Sequence, residues 1–135
     1  VANNMLDSII SLDAGYGGGV GIHNSADGTI LEGNIVQHAY INGISNDANY
    51  CVINNNRVFN CSVLTDNAYR GISNSGDWCT IVGNVVHDTR SNSRMDFCIY
   101  VPGDSNTIVG NNTNGGSNAN IYVSGTGNIQ GNNKE

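Results

Sequence analysis

Two stretches decide the fold: GISNSGDWCTIVGNVV (Gly71 to Val86) and CIYVPGDSNTIVGNN (Cys98 to Asn112). Each opens on a small residue followed by Ile, passes a Gly-Asp turn, and reaches Thr-Ile-Val-Gly-Asn, with the Gly-Asn Gly twelve positions after the opening residue. The same offset separates Gly21 from Gly33 and Gly43 from Asn55, and a fifth copy, Asn120-Ile121 to Gly131-Asn132, reads one residue shorter. A fixed register repeated five times is a structural repeat, which outranks any reading of isolated segments.

Aligned this way, the apolar residues fall into columns: Ile22, Ile44, Ile72, Ile99 and Ile121; Leu31, Ile53, Ile81, Ile108 and Ile129; Val36, Val58 and Val86. Short β-branched segments separated by turns, recurring every 22 to 28 residues, describe coils whose strands pair with the coils above and below. The expected fold is all-β, a right-handed parallel β-helix of about five coils in one domain, residues 1–135. Asn34, Asn56, Asn84, Asn111 and Asn132 form a corner column, since Asn tolerates the left-handed backbone region and stacked amides bond along the axis. Asn24, Asn46 and Asn74 form a second amide column facing the interior, where a ladder would satisfy them.

Composition agrees. Asn (24) and Gly (18) supply too much turn chemistry for a helical bundle, and 12% charged residues argue against both a charge-expanded disordered chain and a coiled coil. A net charge of −6 with one Lys disfavours nucleic acid, and no apolar run approaches a membrane span. The four Cys (51, 61, 79, 98) contain no CxxC pair, which argues against a zinc ribbon; no metal or cofactor is expected. Cys51 and Cys79 share a column, while Cys61 and Cys98 are the better candidates for oxidation because their bond would pin a long loop.

The two quoted stretches resemble coils of the right-handed parallel β-helix proteins of the pectate-lyase-like superfamily, and the resemblance extends over roughly residues 20 to 133. It implies carbohydrate and surface biology, since the members include polysaccharide lyases, uronan epimerases, glycoside hydrolases and phage tailspikes. It does not by itself imply a reaction.

Between the Gly-Asn corner and the next opening residue the spacing varies, so the longer segments around Asp7 to Gly19, Cys61 to Ala68 and Thr89 to Asp96 should cluster at one corner, where repeat proteins place binding loops. Arg57, Arg70, Arg90 and Arg94 lie in or beside the last two, with Asp66, His87, Asp88 and Asp96. Arg forks suit the carboxylates or sulfates of an acidic glycan, and His87, Asp88, Asp66 or Asp96 are the candidates for proton transfer. The competing expectation is that Arg-Asp pairs tie the loops to one another. Asp27, Asp77 and Asp104 recur at one corner and read as turn formers, not as metal ligands.

The residue after each inward Ile faces outward, giving a row His23, Ser45, Ser73, Tyr100, Tyr122. Tyr100 and Tyr122 would stand about 4.8 Å apart as a platform for a sugar ring. Trp78 reads as a cap over its turn. Val1 to Met5 aligns with the end of a repeat, with Ala2 at the Gly position, so the chain is expected to be a segment of a longer spike or of an assembly whose open ends other chains cover, as a homo-oligomer or fibre. The functional expectation is a non-catalytic structural or glycan-binding module of an extracellular, cell-surface or virion assembly; the alternative is a fragment of a lyase, epimerase or glycoside hydrolase.

Overall fold

The computed structural model describes residues 1–7, 19–65, 67–92 and 94–135. Among the described residues, fifteen short strands form three sheets of five, each entirely parallel. The first sheet stacks β1 (Met5–Asp7), β4 (Ile35–Gln37), β7 (Arg57–Phe59), β10 (Val85–His87) and β13 (Asn112–Asn114). The second stacks β2 (Ile22–Asn24), β5 (Ile44–Asn46), β8 (Arg70–Asn74), β11 (Phe97–Val101) and β14 (Ala119–Val123). The third stacks β3 (Ile30–Glu32), β6 (Val52–Asn54), β9 (Thr80–Val82), β12 (Thr107–Val109) and β15 (Ile129–Gly131). The chain visits second, third and first sheet in turn, which makes a parallel β-helix of about five coils.

Like residues stack on like. Ile22, Ile44 and Ile72 are in register, as are Leu31, Ile53 and Ile81, and Val36, Val58 and Val86. These columns build one apolar core, in which nearly every member is out of solvent. The Gly of each Gly-Ile pair has a steric cause: a Cβ on Gly43 or Gly71 would lie 2.4 Å from Val58 Cγ1 or 2.3 Å from Val86 Cγ1. At Gly43 and Gly71 the second sheet therefore lies against the first closely enough to exclude a side chain.

The corner between third and first sheets takes two residues, the first in the left-handed region (Asn3, Gly33, Asn55, Gly83, Gly110, Asn132) and the second an Asn. Here the register corrects the sequence reading at both ends. Ile108 pairs with Gln130, not Ile129, and Ile129 pairs with Thr107 and is exposed. Met5 pairs with Ile35. The corner pairs are thus Asn3-Asn4 and Asn132-Asn133, and the fifth repeat keeps the full offset. An Asn can hold the left-handed position as Gly does, and here Asn132 (φ 52°) rather than Gly131 takes it.

The corrected column is a continuous ladder. The backbone N–H of Asn34 donates to Asn56 Oδ1 (3.0 Å), Asn56 to Asn84 (2.9 Å), Asn84 to Asn111 (3.0 Å) and Asn111 to Asn133 (3.0 Å). Each of these Oδ1 atoms also accepts the Nδ2 of the Asn one turn earlier, and Nδ2 of Asn56, Asn84 and Asn111 has a second acceptor in Leu31, Ile53 or Ile81 O. Every polar atom of these buried amides is satisfied. Asn24, Asn46 and Asn74 form the second ladder, with Nδ2 to Oδ1 distances of 2.6 Å.

The four cysteines are buried thiols. Cys61 and Cys98 do not pair, because they occupy different positions of their turns: Cys61 Sγ lies beneath Gly43 and points to Phe59 O (3.5 Å), and Cys98 Sγ approaches Asn120 Oδ1 (3.7 Å). Burial pushes both thiols up from 9.0 to about 12. Cys51 and Cys79 do share a column, with the Cys51 N–H donating to Cys79 Sγ (3.3 Å).

Candidate functional site

The connections from first to second sheet carry the length variation: residues 38–43 and 115–118 are short, 60–69 and 88–96 longer. The expected segment Asp7 to Gly19 lies outside the described residues except at its two ends, and Asp66 lies outside them altogether.

Immediately after these loops, the strands of the second sheet present an aromatic and cationic stack. Pairing places Ser73, Tyr100 and Tyr122 in one outward row and Arg70, Phe97 and Ala119 in the row beside it. The rings of Phe97 and Tyr122 are 4.9 Å apart at 17°, Phe97 and Tyr100 5.5 Å at 18°, and Tyr100 and Tyr122 5.9 Å at 11°. All three are nearly parallel. The Arg70 guanidinium closes the stack, 4.9 Å from the Tyr100 centroid and 6.0 Å from that of Phe97. Tyr122, on the edge strand β14, is 45% exposed, so the stack has an open aromatic end and a cationic end.

Arg70 is steered by Asp96, whose Oδ2 lies 3.6 Å from Nη2 while its Oδ1 accepts from Asn118 Nδ2. Its Nε, out of solvent, has no acceptor among the described residues. The Arg70 side chain is 29% exposed, so the rest of the fork is open to an external acceptor. Ser117 Oγ, one residue from Asn118 in the adjoining loop, is likewise buried without a partner among those residues.

Asp88 and Arg90 do something different. The Asp88 side chain is fully buried and accepts from Arg90 Nε (2.9 Å), Arg90 Nη2 (2.6 Å), Arg90 N (3.0 Å) and Met95 N (2.8 Å). Arg90 Nη2 also donates to Cys61 O. One enclosed ion pair thus shapes loop 88–96 and fastens it to loop 60–69. Arg94 is half-buried in the same loop, and its carbonyl accepts from Asn67 N (2.9 Å).

Arg57 and His87 belong to the outer face of the first sheet. Arg57 lies over Phe59 (5.5 Å to the centroid), Phe59 meets His87 edge-on (6.2 Å, 74°), and His87 Nε2 is 3.3 Å from Asn112 Oδ1. His87 borders a depression of about 280 Å³ with Asn112, Thr113, Asn114, Lys134 and Glu135. The sequence candidates thus separate into three places: Arg70, Tyr100 and Tyr122 on the second sheet, with Asp96 at the end of the adjoining loop; Asp88, Arg90 and Arg94 in that loop; and Arg57 and His87 on the first sheet.

Phe97 was missed. It stands directly before Cys98, as Arg70 stands before Gly71, so the opening-residue alignment contains the signal; Cys in place of Gly obscured it. Asp27, Asp77 and Asp104 are turn acceptors, and among the described residues no group of three His, Cys, Asp or Glu side chains is placed to hold a metal ion. Compared with family models, with curated proteins and with solved structures, the chain matches none.

Proposed function

We propose that this β-helix is a non-catalytic module that binds an acidic glycan along the outer face of its second sheet, within an extracellular, cell-surface or virion assembly of the kind the pectate-lyase-like superfamily supplies. The observation that carries the reading is the stack Arg70, Phe97, Tyr100, Tyr122, with its open ring at one end and its partly filled guanidinium fork at the other. A sugar ring covers Tyr122 with its apolar face while a carboxylate or sulfate of the same chain meets Arg70. The burial of Asp88 and its four internal hydrogen bonds argue against an acid-base role for it, and His87 lies on another sheet.

The test is titration with uronic acid oligosaccharides and their neutral counterparts. Tyr122→Ala should weaken binding by about fivefold to tenfold, the worth of one aromatic contact. Arg70→Ala should abolish the preference for the acidic over the neutral ligand. Release of unsaturated or reducing sugar from the same panel would replace this reading with that of a lyase, epimerase or hydrolase fragment.

A further inference from the structure

The corner between second and third sheets holds a second recognition feature. In each turn it places one residue in the left-handed region: Gly28 (φ 70°), Tyr50 (57°), Trp78 (57°), Ser105 (56°) and Gly127 (67°). Gly suits that conformation, and bulky aromatic residues do not. Tyr50 and Trp78 nevertheless occupy it on successive turns, both 63% exposed and outside the apolar core. Neither the turn nor the core calls for them.

The residue just before the left-handed position is acidic on three of the five turns (Asp27, Asp77, Asp104), is Asn49 before Tyr50 and is Thr126 before Gly127. Asp27 Oδ1 accepts from Asn49 N (2.7 Å), Asn49 Oδ1 from Asp77 N (2.8 Å), Asp77 Oδ1 from Asp104 N (2.8 Å) and Asp104 Oδ1 from Thr126 N (2.6 Å). This axial ladder uses one oxygen per side chain. The second oxygen of Asp27, Asp77 and Asp104 takes no part in it, and no Lys or Arg occurs in residues 25–29, 47–51, 75–79, 102–106 or 124–128 of this corner.

We propose that Tyr50 and Trp78 form a binding site for an alkylated ammonium group. Two exposed aromatic side chains one turn apart attract a cation of low hydration, and the carboxylates of Asp27, Asp77 and Asp104 along the same corner complement its charge. The same carboxylates repel a phosphate, so the ammonium is a free or peptide-borne one and not a phosphocholine headgroup. The site lies at a different corner from the long loops, and its ligand has the opposite charge to that proposed for Arg70.

Trp78 is the sole tryptophan, so its fluorescence reports the site directly. Choline should quench it saturably, while 3,3-dimethylbutan-1-ol, the uncharged isostere, and methyl glucoside should not; phosphocholine should bind more weakly than choline. Asn49 already serves in the ladder, so Asp27→Asn/Asp77→Asn/Asp104→Asn keeps every axial acceptor while removing three charges. That variant should retain its melting temperature and lose about tenfold in choline affinity, and Tyr50→Ser should lose a similar factor. Equal quenching by the isostere, tighter binding of the sugar, equal binding of phosphocholine, or undiminished affinity in a folded triple variant would each overturn the proposal.

Discussion

The two short corners of the helix solve the same problem differently. At the corner between third and first sheets, and again at the corner between second and third, a side-chain Oδ1 accepts a backbone N–H from a neighbouring turn. The buried corner uses Asn without exception from Asn34 to Asn133, because there the side chain must donate as well as accept and no water is available. The exposed corner uses Asp, Asn, Asp, Asp, since only an acceptor is needed and the other atom can face water. Their polarity is also opposite: in the buried ladder the N–H of one turn reaches the Oδ1 of the next, and in the exposed ladder that of the turn before. Burial removes choice, and exposure restores it. Residues such as Tyr50 and Trp78, which the exposed corner does not require, are therefore informative in a way that another buried Asn is not.

That contrast can be broken from the inside first. Ile72→Asp places a charge in the apolar column between Ile44 and Ile99, and no folded population should remain by circular dichroism. Asn84→Leu removes the acceptor of the Asn56 N–H and a donor to Ile53 O, leaving buried groups unpaired. At 1–3 kcal/mol for each, the loss should be about 3–5 kcal/mol, read as a lower denaturation midpoint at unchanged slope.

The interior also has a pH signature. Burial raises Cys61 and Cys98 from 9.0 to about 12, so between those values the unfolded chain releases two protons that the folded chain keeps. Their contribution to stability is fully present below pH 9 and is lost as pH climbs towards 12, by about 1.4 kcal/mol per thiol per pH unit. Urea unfolding from pH 8 to 11 should show the decline, and Cys61→Ala/Cys98→Ala should reduce it, leaving the part due to Cys79, which burial also pushes up. At the other extreme, Asp77→Asn in the exposed ladder should change stability by no more than about 0.5 kcal/mol. A loss comparable with that of Asn84→Leu would erase the distinction between the corners.

Most of the fold was legible because each coil repeats the same constraints: Ile44, Ile72 and Ile99 face one interior, and Gly43 and Gly71 meet one steric barrier. The ends were read one residue out, since Gly131-Asn132-Asn133 offers two candidates for a position that Gly and Asn both fill. Tyr100 and Tyr122 followed from the two-residue period of a strand. The pairing of Asp88 with Arg90 did not, because loops 60–69 and 88–96 differ in length from each other and from their counterparts 38–43 and 115–118, so no common register can be inferred.

The two ladders also bear on mechanics. Their hydrogen bonds, like those of the three sheets, run from turn to turn along the axis, so tension along that axis loads the turns in series and each interface carries the whole force. The stack should then yield at its weakest interface, one turn at a time, whereas tension across the axis would be borne by the covalent chain of each coil.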